Sequence, residues 1–293
     1  MTYIMEYFSN PEIPDNLDGV RDGHGRSFLV VLLKALGFLI AFLVIVDILA
    51  RLLAPFVPFG WEKALVPESI LGPTQVEQGA LIEKDLNDLA GRLAAVMNLP
   101  PDMTLTVHYV SDPTVNALAT FGGHIVVFKG LLERLESEDA LAAVLAHEIG
   151  HIKNRDMLKG LIRAVSLSLM AGAVGSAGPS TGLENAVGQI GLMSYSRSQE
   201  AGADRLTTLA LGRLYGHTKG FEECFQVLMT APGAELAHLT PEFLSTHPDI
   251  LKRIKRSREL SAELGLPSEG VPAPLAGALK LKDEGLETGA DLK

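Results

Sequence analysis

His147, Glu148 and His151 fall in the run His147-Glu148-Ile149-Gly150-His151, a match to the H-E-x-x-H pattern. Histidines four apart share one face of a helix, so both imidazoles can reach one metal ion. Glu148 leans over the same face, where a carboxylate can take a proton from a water activated by the metal. The pattern fixes only three positions, and the plain alternative is a pair of core histidines beside a solvated glutamate. A catalytic zinc needs a third protein ligand and an open position. Glu200, in Tyr195-Ser196-Arg197-Ser198-Gln199-Glu200-Ala201-Gly202-Ala203-Asp204, is the best candidate. Asp204 follows on the same helical face, suited to accept the outer N–H of a ligand histidine. Ala201, Gly202 and Ala203 leave room for a second helix to pack closely.

Those residues need helices to hold them. Before the first histidine, Ser137 is an expected N-cap, with Glu138 and Asp139 in the first turn where they suit the helix dipole. Leu141, Val144, Leu145, Ile149 and Ile152 recur at helical spacing and give that helix an apolar face. Upstream, Val76, Leu81, Leu86, Leu89, Leu93 and Val96 predict a long helix over 74–97, ended by Pro100-Pro101. The segment 104–110 alternates as a strand, Asn116 to Thr120 is a short extended piece, and Gly122-Gly123 turns the chain into a further strand, His124 to Phe128. His108 reads as packed or exposed rather than as a ligand. A short helix is expected over 130–136. Downstream, helices are expected over 183–215, 220–229 and 248–264, the last with a basic face that is most simply solvated. The pattern is a mainly helical α+β fold with a small sheet.

The chain has 293 residues and a net charge of −10, which argues against nucleic acid as a partner. Its length allows one domain plus appendages. Mean hydropathy is positive, and Phe28 to Leu53 supplies the roughly 20 apolar residues a bilayer requires, interrupted by Lys34 and Asp47 and flanked at its end by Arg51. An uncleaved, single-pass anchor in the lipid bilayer is the expected reading, the alternative being a buried core helix. Leu158 to Ala177 is apolar but carries Arg163, and a packed or interfacial helix is favoured over a second span. The single Cys224 excludes an intrachain disulfide and a Cys-ligated zinc site; it reads as a small buried apolar residue. These features divide the chain into an N-terminal tail (1–27), an anchor (28–53), a Pro- and Gly-rich linker (54–73), a catalytic domain (74–265) and a disordered C-terminal tail (266–293).

Four blocks together carry a resemblance: Asn116–Thr120 with Gly122-Gly123 and His124–Leu132; the H-E-x-x-H run; Tyr195–Asp204; and Ser245-Thr246-His247-Pro248-Asp249 onward. In this order they resemble the HtpX and CAAX-prenyl-protease type of membrane-associated zinc metallopeptidases. The resemblance spans roughly 74–264. It implies a zincin-like domain with a small antiparallel sheet beside the active-site helix, and one Zn²⁺ per chain held by His147, His151 and Glu200. It also implies Glu148 as base and proteolysis of polypeptide substrates as the activity. His247 matches a family histidine that reaches the metal site, where it stabilises an oxyanion or caps the zinc. Asn116 matches an asparagine near the substrate cleft. A single anchor cannot enclose a chamber within the membrane, which favours misfolded or membrane-associated polypeptides over prenylated tails. The expected location is the cell membrane with the peptidase domain outside the cytoplasm. The competing reading is a catalytically silent chaperone or scaffold that keeps the fold; intact Glu148, Glu200 and Asp204 argue against it. Substrate is expected to add as a strand to an exposed sheet edge formed by His124, Ile125, Val126, Val127 and Phe128. The residues set no oligomeric state.

Overall fold

The computed structural model describes residues 21–66, 77–173, 195–230, 247, 249–275 and 277–281. The chain separates into two units, residues 1–49 and 50–293. Helix α1, Arg21–Leu53, supplies the first unit and runs into the second. Phe28–Phe56 is long and apolar enough to cross a membrane, and its large side chains are exposed, Phe28 at 70% and Phe38 at 69%. Of its described residues it buries only Val46 and Ala50, both in its C-terminal half, and a helix with so exposed an apolar surface calls for an apolar solvent.

Within the second unit, a three-residue 3₁₀ turn at Ala54–Phe56 leads to the short helix α2, Phe59–Lys63. Residues 54–66 are more than a linker, because Phe59 is buried in the hydrophobic core. Helix α3, Glu77–Val96, buries Ile82, Leu86, Leu89, Ala90 and Leu93. Leu81 is exposed instead: the buried stripe takes the neighbouring Ile82, four residues before Leu86, and so turns Leu81 to solvent.

Strands β1 (Thr106–Val110), β2 (Ala117–Thr120) and β3 (His124–Phe128) form one sheet in the order β1-β3-β2. β1 pairs with β3 in parallel, Thr106 opposite His124, and β2 pairs with β3 antiparallel, Ala117 opposite Val127. This corrects two sequence expectations. The sheet is mixed rather than antiparallel, because β2 takes the outer place and leaves β1 to meet β3 through a crossover. For the same reason β3 is the central strand and not an edge; Ile125 and Val127 are fully buried. Phe128 N–H donates to Asn116 O, which fixes the alternation of the antiparallel ladder. The backbone groups of Ala117 and Ala119 therefore face away from β3, on the outer side of β2, where both residues are buried.

After the short helix α4, Lys129–Leu132, comes the long helix α5, Glu138–Lys153. Ser137 Oγ accepts from Ala140 N–H at 3.1 Å, the expected cap. From Asp139 to Ile152 every residue of α5 is buried, so it is the central helix of the domain. Helix α6, Asp156–Ala173, buries Met157, Leu158 and Leu161 near its start and exposes Leu167 and Leu169 further on. Residues 174–177 and 183–194 lie outside the described set. Helix α7, Arg197–Tyr215, opens on a capping box formed by Ser196 and Gln199, which gives the helix its own start there. Helices α8, Lys219–Met229, and α9, Ile250–Glu263, complete the bundle, with Cys224 buried in α8.

The tail expected to be disordered from 266 is ordered over its described residues. Ala273 O accepts from Glu138 N–H, Ala273 N–H donates to Asp139 Oδ1, both at 2.8 Å, and Ala278 N–H donates to Asp85 Oδ2 at 2.9 Å. Leu279 is buried in the core. A Pro- and Gly-rich strap held mainly through its backbone shows no side-chain period, which is why its composition reads as tail.

Candidate metal centre

α5 presents His147 and His151 one turn apart, both buried, and α7 brings Glu200 to them. The two helices can approach because their crossing is lined by small residues. A Cβ placed on Gly150 would lie 3.0 Å from Ala203 Cα and 3.2 Å from Ala203 Cβ. His247, just before α9, joins the same point: ligand atoms of His147, His151, Glu200 and His247 all lie within 4.8 Å of one another. His147 Nε2 is 3.2 Å from His151 Nε2, and Glu200 Oε1 is 3.5 Å from His151 Nε2. Donors on one tetrahedral zinc at about 2.0–2.1 Å stand about 3.3 Å apart, so the donor set fits that ion.

The donors on α5 and α7 are fixed from behind. His151 Nδ1 meets Asp156 Oδ2 at 2.9 Å, and His147 Nδ1 lies 3.2 Å from Asp204 Oδ1. Arg253 of α9 donates to both Asp204 oxygens, at 3.0 and 2.7 Å, and its Nη1 is 2.7 Å from Glu200 Oε2. Tyr195 stacks on His151 with ring centroids 3.8 Å apart and planes 9° from parallel. Glu148 is fully buried; its Oε2 accepts from Ala119 N–H at 2.8 Å, while Oε1 accepts no hydrogen bond among the described residues. His247 Nε2 lies 3.8 Å from that oxygen.

The electrostatics follow from this packing. Burial opposes charge on Glu200, yet hydrogen bonds from His147, His151 and His247 hold its carboxyl far below the usual range. Burial likewise opposes charge on His151, but Asp156 and Glu200 push it up to about 9. Burial pulls His247 down to about 4 against the pull of Glu200. A metal ion requires the neutral ring, so an ion bound by His151 takes the place of a proton there.

The structure thus brings His147, Glu148, His151, Glu200, Asp204 and His247 together. Asn116 is buried at the head of β2, its Oδ1 accepting no hydrogen bond among the described residues. His124 lies away on the sheet, its Nδ1 2.9 Å from His108 Nε2. The sequence reading missed Asp156, Tyr195, Arg253 and the Ala119 N–H. Tyr195 lay inside a block already singled out, and Asp156 is five residues past His151; nothing local links Arg253 to Asp204.

Two imidazoles and a carboxylate on crossing helices, beside a buried glutamate with one oxygen uncommitted, define the site of an H-E-x-x-H metallopeptidase. Residues 80–261, more than half the chain, match Peptidase family M48, and the chain belongs to that family. It is 28% identical over 200 residues to the beta-barrel assembly-enhancing protease of Yersinia pestis, covering 63% of this chain and 40% of that protein. It is 32% identical over 181 residues to the mitochondrial metalloendopeptidase OMA1 of Schizosaccharomyces pombe, covering 61% and 52%. A protease HtpX homolog of Thermococcus sibiricus is 24% identical over 299 residues, covering 84% of this chain and 97% of its own. The chain spans two-fifths to half the length of the first two relatives.

Proposed function

We propose that this chain is a membrane-anchored zinc endopeptidase that cleaves misfolded or membrane-associated polypeptides. The observation that carries the reading is the meeting of four buried ligand atoms within 4.8 Å beside Glu148. His147, His151 and Glu200 hold the ion, Asp156 and Asp204 orient the two imidazoles, and Arg253 holds Asp204 against His147. Bound there, zinc supplies Lewis acidity, polarising a peptide carbonyl and lowering the pKa of water. Glu148 takes the proton of the attacking water on Oε1 and returns it to the leaving amine. Ala119 N–H on Oε2 keeps the carboxylate turned that way. The anchor, by its length and composition, keeps the catalytic domain near a bilayer and so near membrane-derived chains. We assign the domain to the extracytoplasmic side; protease accessibility in spheroplasts tests this.

His247 is proposed to donate to the developing oxyanion. His247→Ala is expected to lower kcat by on the order of 10²-fold with little change in KM. A rise in activity would make it a resting cap on the ion, and parent kinetics with the metal retained would sink both roles.

With β3 in the middle of the sheet, the docking edge moves to β2, whose outward backbone at Ala117 lies two residues from the N–H that binds Glu148. A protease acting on varied chains holds backbone rather than a particular side chain, and strand addition does this. Ala117→Pro removes one N–H from the outer side of an edge strand, where proline is tolerated by the backbone, though the buried ring also costs packing. We expect kcat/KM on extended peptides to fall about 2- to 10-fold, the worth of one hydrogen bond, with metal content near the parent's and a lowered thermal midpoint. Val127→Pro, in the central strand, should unfold the domain instead. Parent-like cleavage by folded Ala117→Pro would remove β2 as the docking edge.

A further inference from the structure

We propose that Glu62, in the short helix that follows the membrane segment, is a positioning residue for the metal helix and for the sheet edge beside it. Glu62 sits in a stretch punctuated by Pro55, Pro58, Gly60 and Pro67, yet it is only 4% exposed. Its carboxylate makes two connections, one to each side of the metal centre.

The first runs through Arg155. Arg155 Nε donates to Glu62 Oε1, and the guanidinium lies over the Phe59 ring, 5.4 Å from its centroid. Arg155 has φ of 57°, a left-handed conformation that costs energy in a residue with a Cβ. It adopts it in the two-residue joint between α5 and α6. The very next residue is Asp156, whose carboxylate meets His151 Nδ1. Holding the Arg155 side chain therefore fixes the backbone that aims Asp156 at the metal-facing histidine.

The second runs through the turn between β2 and β3. The Gly122 N–H faces the Glu62 carboxylate and favours its ionised form against the larger opposing effect of burial. Gly122 and Gly123 have φ of 72° and 83°, and α2 lies flush against them. A Cβ on Gly122 would come within 2.9 Å of Lys63 Cα, and one on Gly123 within 3.2 Å of Phe59 Cζ. The turn leaves β2 at Thr120, one residue after the Ala119 N–H that donates to Glu148 Oε2. One carboxylate thus anchors both the Asp156–His151 contact and the strand that orients Glu148.

A buried ion pair is not needed merely to pin α2 in place, since well-packed apolar side chains of similar volume do so at least as well. What the carboxylate adds is direction, through its hydrogen bond from Arg155 and its contact with the Gly122 backbone. That distinction makes the inference testable. It rests on His151 being a metal ligand, so the full-length chain in detergent is compared with His151→Ala, Glu62→Gln, Arg155→Lys and the double variant Glu62→Leu/Arg155→Met. Zinc retention against a chelator, kcat, KM and thermal midpoint are measured for each. The double variant leaves no orphaned charge. It is expected to lose about 10- to 100-fold in zinc affinity or kcat with KM unchanged, the usual effect of removing support behind a metal ligand. Glu62→Gln keeps one acceptor oxygen but leaves the buried Arg155 charge unpaired, so it should lower the thermal midpoint and fall between the parent and the double variant in kcat. A folded double variant with parent kcat and zinc retention overturns the inference, whatever its thermal midpoint. If the double variant does not fold, Arg155→Lys decides, because it keeps the charge and loses the directed Nε–H: lowered kcat supports the inference and parent-like kcat overturns it. Should His151→Ala retain zinc, the ligand assignment fails and the inference with it. Zinc loss in His151→Ala with no effect of the Glu62–Arg155 pair overturns the inference alone.

Discussion

Glu148→Gln is expected to lower kcat by on the order of 10²- to 10⁴-fold, the range a positioned general base contributes, while the metal stays bound. The geometry makes this a clean substitution. Glu148 lies between the two histidines in sequence but is not among the residues whose ligand atoms converge. A glutamine oxygen can still accept from Ala119 N–H, the one hydrogen bond that orients the side chain. The amide fills the same volume in a fully buried position, so no cavity opens. What disappears is the basicity of Oε1. KM should change little, because the base acts in the transition state rather than in binding. Steady-state kinetics on a fluorogenic peptide, with zinc measured on the same sample, check this. Retention of more than about a tenth of the parent kcat would assign the base elsewhere.

Glu200→Ala should have the second large effect, and of a different kind. It removes the only carboxylate in the donor set, leaving the histidines to hold the ion alone. It also strips Arg253 of one of its two buried carboxylate partners among the described residues, with Asp204 remaining. Zinc is expected to leave on dialysis and activity to fall to background. Breaking a buried ion pair costs about 3–5 kcal/mol when one charge is left wholly unpaired. Here Asp204 keeps Arg253 paired, so the loss should be smaller, at about 2–4 °C in thermal midpoint per kcal/mol. Metal analysis after dialysis and a thermal scan test both arms. A full complement of zinc in Glu200→Ala would refute its place as a ligand.

The site was more legible in the sequence than the sheet was. His147, Glu148 and His151 are close in sequence, and helical periodicity alone puts them on one face. Glu200 and Asp204 were found because acids among small residues mark a helix that can pack closely. Arg253 could not be found that way: its link to Asp204 joins residues 49 apart and exists only once α9 lies against α7. The strands were recognised from their alternation, but strand order is a property of pairing, and nothing within His124–Phe128 says that β1 will take its other side. Its two fully buried residues, Ile125 and Val127, are what an ordinary central strand carries. Glu62 was passed over for a related reason. Proline and glycine report local backbone preference, whereas burial of Phe59 and Glu62 is decided by the turn at Gly122 and by Arg155, both distant in sequence.

We propose that one zinc, held by residues of α5 and α7, drives peptide hydrolysis through Glu148. The most direct measurement takes the full-length parent and Glu148→Gln chains, purified in detergent, and determines zinc content and casein cleavage on the same samples before and after chelation and zinc add-back. Equal zinc in both chains is expected, with cleavage by the parent alone, loss of that cleavage on chelation and its return with zinc. Cleavage by the parent that survives complete removal of zinc, or a zinc-loaded parent that cleaves nothing while folded, would contradict it.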